Sequence, residues 1–165
     1  MLLMRSKMKE LVGIAEQVAA KLIARKQTVA IAESSAGGLI SAGLLAVPGA
    51  SAYFLGGGHT RDARRALMEI SDEGMKGFRS ASEPYAKLLA ERMRNRFGCD
   101  WGLSETGAAG PTGNRYGDAA GHSCMAVAGP VAEVMTLETG SNDRFGNMQT
   151  FAATALKLLL RSLER

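Results

Sequence analysis

Two short segments carry the residue types that chemistry would use. The first is Glu33-Ser34-Ser35-Ala36-Gly37-Gly38, a polar turn of small residues that opens directly onto a helical pattern. Serines and glycines there free backbone N–H groups at a helix start, which suits an anion such as phosphate, while an ordinary capped turn is the structural alternative. The second is Thr106 to Gly113, with three glycines and a proline after an apolar run. It suits a nest of main-chain amides that a ligand approaches closely, or merely a tight connection. It is neither a P-loop, since no Gly-Lys-Ser/Thr follows, nor a dinucleotide fingerprint. Two histidines and two cysteines, widely separated, show no metal-ligand spacing, so a metal site has no support; no cofactor is expected either.

Both segments follow predicted strands, at the sheet end where open α/β sheets bind ligands. Lys9 to Lys26 repeats apolar residues at helical spacing, and Thr28 to Ala32 is a short β-prone run of the kind covered on both faces. A helix spans Leu39 to Ala46, and Ala52-Tyr53-Phe54-Leu55 is strand-like before Gly56-Gly57-Gly58, whose composition implies close backbone approach. Thr60 can cap a helix through Ala66 and Leu67, and Ser82-Glu83-Pro84 opens another through Arg96. Asp100 to Ser104 reads as a strand, and His122 to Ala128 and Ala132 to Glu138 as a hairpin. A long apolar-faced helix from Arg144 to Leu163 closes the chain. This order predicts a three-layer α/β/α fold with a mixed, mostly parallel sheet in a single domain over residues 1–165, its core at about 11–160.

The 165 residues are 46% hydrophobic and 22% charged, which fits a globular protein rather than a disordered or membrane-spanning one. The apolar stretch from Gly37 to Ala50 is too short for the roughly 20 residues of a membrane span. The N-terminal residues lack the order of a signal peptide, so a cytoplasmic setting is expected, with Cys99 and Cys124 as buried reduced thiols. A formal charge of +4 raises nucleic acid as a partner, but the basic residues are scattered and only 5% are aromatic, so solvated helix faces are the expectation.

Four motifs together carry a family resemblance. Ala32-Glu33-Ser34-Ser35-Ala36-Gly37-Gly38 resembles the Ala-Glu-Ser-Cys/Ser-Thr-Gly-Gly of the C-terminal domain of the competence/damage-inducible CinA family. Val47-Pro48-Gly49-Ala50-Ser51-Ala52-Tyr53-Phe54, Ser82-Glu83-Pro84 and Thr106-Gly107-Ala108-Ala109-Gly110-Pro111 are similar to further family motifs in the same order and spacing, over about Leu11 to Leu160.

The resemblance implies hydrolysis of the amide of nicotinamide mononucleotide to nicotinate mononucleotide and ammonia, without a metal. It implies a serine acting at the amide, here Ser34, and a Thr/Ser of the second loop, here Thr106. The family tyrosine falls on His59 and its lysine on Arg64. The first-loop threonine falls on Ala36, and an arginine beyond Asp143-Arg144 falls on Met148. A guanidinium stays protonated, so Arg64 cannot act as the base that a desolvated lysine supplies, although its fork of donors suits a phosphate or an oxyanion. His59 then becomes the candidate base for Ser34, with an exposed or merely hydrogen-bonded histidine as the alternative. His122, opening a strand, is expected to be structural, and Asp62 and Asp118, beside basic or glycine-rich segments, are the acidic candidates to face a histidine. Glu33, Ser35, Gly37, Gly38, Gly107, Ala109, Gly110 and Arg144 complete the expected ligand pocket. An amidohydrolase, a nucleotide-binding regulatory module without turnover, or a hydrolase of some other small substrate follows, expected as a stand-alone homo-oligomer without the N-terminal domain of longer relatives.

Overall fold

The computed structural model describes residues 2–59 and 67–165, with the side chains of residues 2–5 and of His59 outside that description. The elements are α1 (Leu2–Arg25), β1 (Val29–Glu33), α2 (Leu39–Leu45), β2 (Phe54–His59), α3 (Glu83–Phe97), β3 (Trp101–Ala108), β4 (His122–Ala128), β5 (Glu133–Glu138) and α4 (Arg144–Leu163). The sheet order is β2-β1-β3-β4-β5. β1 pairs in parallel with β2 and β3, while β3–β4 and β4–β5 are antiparallel, so the mixed sheet divides its pairings evenly.

Alternation along the strands sends each residue to one of two helical layers. Val29, Ile31, Leu103, Met125 and Val127 join Leu11, Val18, Leu22, Ile40, Leu44, Phe151 and Leu156 in the larger core, under α1, α2 and α4. Ala30 and Ala32 meet Tyr85, Leu89 and Met93 of α3 on the opposite face, and Ala126 and Ala128 meet Ala86 and Ala90. The residues on that face are small because α3 lies close to the sheet. A Cβ at Gly102 would run into the Ala90 carbonyl oxygen.

Helix ends follow their local chemistry. Ser82 caps α3 by accepting from the Tyr85 amide, with Pro84 in the first turn and Gly98 in the left-handed region at the C-cap. Asp143 caps α4 through the Gly146 amide at 3.1 Å.

Three boundaries differ from expectation. The strand-like reading of Ala52 to Leu55 is corrected: Ala50–Ala52 is a 3-10 turn, and β2 runs through the glycines to His59. A Cβ on Gly56 would sit 3.0 Å from the Phe97 ring, and one on Gly57 would sit 2.6 Å from Ser41 Oγ, so the glycines let helices close on both faces of this edge strand. β3 continues past Ser104 to Ala108, because β4 pairs with Glu105, Thr106, Gly107 and Ala108 in full register. α1 begins several residues before Lys9. The helix expected from Thr60 falls on residues that lie largely outside the described ones. Cys99 and Cys124 are both buried and free, and no helix among the described residues is long and apolar enough to cross a membrane.

Candidate functional site

β1, β2 and β3 run in parallel and end at one edge of the sheet, bringing Ser34, His59 and Thr106 to the same side of the molecule. The first loop is organised by two buried carboxylates. Glu33, at the end of β1, is 2% exposed and accepts from the amides of Gly38, Ile40 and Ser41 at 3.0 Å each, and from Ser41 Oγ at 2.6 Å. Glu105, fully buried on β3, accepts at Oε2 from the amides of Ser34 (3.1 Å) and Ala36 (2.8 Å). Its Oε1 takes the hydroxyls of Ser35 and Ser123, the latter at 2.7 Å.

The amides at the start of α2 thus have a carboxylate partner within the chain, and Ser35 and the Gly38 amide, both expected in the ligand pocket, are bonded to Glu105 and Glu33 respectively. Burial raises the Glu105 pKa above the ordinary carboxylate value, against the lowering effect of its four donors. Ser34 is exposed in the turn, and its hydroxyl has no hydrogen-bond partner among the described residues. Gly37, also exposed, faces α4: a Cβ there would meet Met148 Cε at 2.6 Å.

The second loop is held from α4. Asn147 Nδ2 donates to the carbonyls of Ala109 and Ser141 at 2.8 Å, and its Oδ1 accepts from Thr139 Oγ1 at 2.6 Å. Arg144 donates to the Gly110 carbonyl. Gly110 has φ 107° and is followed by a cis bond to Pro111. Gly107 lies within β3, paired with Ser123, where a Cβ would collide with the His122 carbonyl oxygen. Thr106 is buried on the α3 side, and its Oγ1 accepts from the Ala81 amide at 3.3 Å.

His59 pairs with Glu33 in the β1–β2 register, one residue before Ser34. Its side chain, together with Arg64 and Asp62, lies outside the described residues. Of the acids left open, Asp118 has Oδ2 3.8 Å from His122 Nε2. Arg79 (2.7 Å) and Asn114 (2.8 Å) also bind Asp118 Oδ2. Burial raises the Asp118 pKa, but Arg79, Asn114 and His122 outweigh it and hold the carboxyl below its usual range. Among the described residues no group of three or more His, Cys, Asp or Glu side chains is arranged to hold a metal ion.

Sequence reasoning missed Glu105, Ser123 and Asn147. A lone carboxylate in an otherwise apolar strand was the available signal for Glu105, because burial of such a group requires donors. For Asn147, one helical turn into an apolar-faced helix, the polar residue on the buried face was the signal.

The family profile described as CinA C-terminal domain matches residues 12–163. A CinA-like protein of Synechococcus sp. (strain CC9902) is 36% identical over 141 residues, 84% of this chain and 32% of that protein. A CinA-like protein of Sulfurihydrogenibium sp. (strain YO3AOP1) is 46% identical over 101 residues, 59% of this chain and 25% of that protein. The chain thus spans about a third or less of these curated relatives. Among solved structures, the competence-damaged protein (CinA) superfamily protein from Enterobacter cloacae superposes with a TM-score of 0.84 at 25% identity, covering 93% of this chain and 92% of that one. The competence or damage-inducible protein from Enterobacter asburiae gives 0.85 at 25% identity, covering 93% and 98%. With the two motif loops on adjacent strand ends and the match running through almost every element, the chain belongs to the CinA C-terminal domain family.

Proposed function

We propose that this protein is an amidohydrolase acting on the carboxamide of nicotinamide mononucleotide, in a cytoplasmic setting and as a homo-oligomer, with Ser34 as nucleophile. The observation that carries the assignment is the position of Ser34. Its amide is fixed by Glu105 while its exposed hydroxyl stays uncommitted among the described residues, at the sheet end where α/β proteins take their ligands.

In this scheme His59 takes the Ser34 proton as the oxygen attacks the carboxamide carbon. The tetrahedral oxyanion collapses with loss of ammonia, His59 returning the proton to the leaving nitrogen. Water then hydrolyses the serine ester to nicotinate mononucleotide and free Ser34. Thr106 Oγ1 uses a lone pair on the Ala81 amide, so its O–H remains available to donate to the oxyanion. Gly107, half-buried on β3, is the glycine of the second loop offered to the ligand, while Ala109 and Gly110 support that loop from the interior, and Arg64 and Arg144 supply guanidinium donors for phosphate.

A second assignment, a nucleotide-binding module without turnover, is favoured by one contact. Met148, where the resemblance places an arginine, turns its thioether onto Gly37 and offers no charge to a transition state. Ammonia release from nicotinamide mononucleotide, with calorimetric binding in parallel, separates the two. Turnover with formation of the acid mononucleotide supports the amidohydrolase, whereas binding without ammonia leaves the regulatory module.

A further inference from the structure

Both ring nitrogens of His122 face acceptors. Nε2 lies 2.8 Å from the Ala81 carbonyl oxygen, and Nδ1 is bonded to Glu138 Oε1 across the β4–β5 register. A neutral imidazole carries one N–H, so satisfying both contacts requires the doubly protonated ring. The ring is only 6% exposed, which makes a mismatched tautomer costly. Ala81, its partner, is a non-glycine residue at φ 55°, a left-handed conformation that is strained for a side chain with a Cβ and persists only where neighbours hold it. Its carbonyl accepts from His122, and its amide donates to Thr106 Oγ1. Four residues are linked in series: Glu138, His122, Ala81, Thr106.

We propose that His122 is a positioning residue of the candidate site, its imidazolium pinning Ala81 so that the Ala81 amide orients the Thr106 hydroxyl. Among the described residues, the groups around the ring come from every packed element. They are Cys124 on β4, Glu138 and Thr136 on β5, Asp118 with its partners Arg79 and Asn114 from the loops, and Glu83, bonded to Thr136 at 2.8 Å, from α3. Carboxylates outnumber cations in this set, which suits a positive ring at its centre. Burial lowers the His122 pKa, but the Glu138 carboxylate, the Ala81 carbonyl and Asp118 together more than offset it and hold the ring above the ordinary histidine value. The same direction makes the contact self-reporting: raising the pH through the ring's titration removes one N–H and releases one acceptor.

The test is a pH titration by NMR of the His122 ring nitrogens and the Ala81 amide in the whole protein and in Glu138→Gln. Glu138 is a 59% exposed side chain, so the variant folds without a buried defect. The proposal predicts both ring nitrogens protonated at neutral pH and an Ala81 resonance that moves with the ring's midpoint. Both midpoints shift together to lower pH in Glu138→Gln. A single neutral tautomer at neutral pH, or an Ala81 amide indifferent to the ring, overturns it. The kinetic readout rests on the amidohydrolase assignment: kcat for nicotinamide mononucleotide falls on the alkaline side at that midpoint, and Glu138→Gln moves the fall to lower pH. A kcat flat across the midpoint overturns the proposal. If the wild-type protein releases no ammonia, the assignment fails while the proposal is decided by the two NMR titrations alone.

Discussion

The Ser34 amide donates to Glu105 Oε2 at 3.1 Å, and this bond ties the first loop to the strand that carries Thr106. Among the described residues no cation is bonded to Glu105; two amides and two hydroxyls stand in for one. Glu105→Ala strands these donors in the interior, and at about 1–3 kcal/mol for an unsatisfied buried group the protein loses on the order of 2–4 kcal/mol in denaturant unfolding. Glu105→Gln keeps an acceptor at the Oε2 position and retains most of that stability.

The pH dependence separates charge from shape at the same residue. The folded-state pKa of Glu105 is raised, so its protonated form favours folding, fully below the ordinary carboxylate value of about 4.3. That contribution is lost as pH rises through the elevated folded value. The stability of Glu105→Gln relative to wild type therefore improves as pH increases over that window. A difference constant with pH in urea titrations counts against a raised value.

Glu33 plays the corresponding role at α2. Glu33→Ala removes the acceptor for three amides and the Ser41 hydroxyl. Hydrogen exchange is expected to accelerate at Gly38, Ile40 and Ser41, at the start of α2, ahead of the sheet amides, with a global loss of about 2–4 kcal/mol. Added phosphate restores part of the protection, because the vacated amides then have an anion to bind.

Met148→Arg returns a guanidinium to the position where Met148 meets Gly37. One charge-assisted hydrogen bond to a phosphate contributes roughly 1.5–3 kcal/mol, so calorimetry on nicotinamide mononucleotide is expected to show about tenfold tighter binding or more. Unchanged affinity places the phosphate elsewhere.

Close packing supplies a test of the fold. Gly102→Ala drives a methyl into the Ala90 carbonyl and pushes α3 from the sheet. A loss of about 1–3 kcal/mol or more is expected in thermal or denaturant unfolding.

Much of this architecture is legible in local chemistry. The Ser82 cap, Pro84 and Gly98 mark α3; the apolar repeat from Leu11 to Leu22 marks the buried face of α1; and Arg144 to Leu163 emerges as expected. Only the start of β2, Phe54 and Leu55, was legible; its run through the glycines was not, because three glycines weaken every strand signal and their use depends on Phe97 and Ser41, which are distant in sequence. The same limit applies to the site. Glycines and serines marked where the loops are, but the question of which amides remain open was settled by Glu33 and Glu105. Glu105 sits 72 residues away from the carboxylate it complements, and only the β1–β3 pairing brings them together. His122 opens β4 as expected, but its bond to the Ala81 carbonyl, 41 positions earlier, is a long-range contact with no local signal.

The most direct measurement compares wild type with Ser34→Ala for ammonia release from nicotinamide mononucleotide, with binding measured on both. Turnover by the wild type that is lost by about 10³-fold or more in Ser34→Ala, the scale on which nucleophile removal acts, with affinity essentially unchanged, is the predicted result. Equal turnover in the two proteins, or none in either, contradicts Ser34 as the nucleophile.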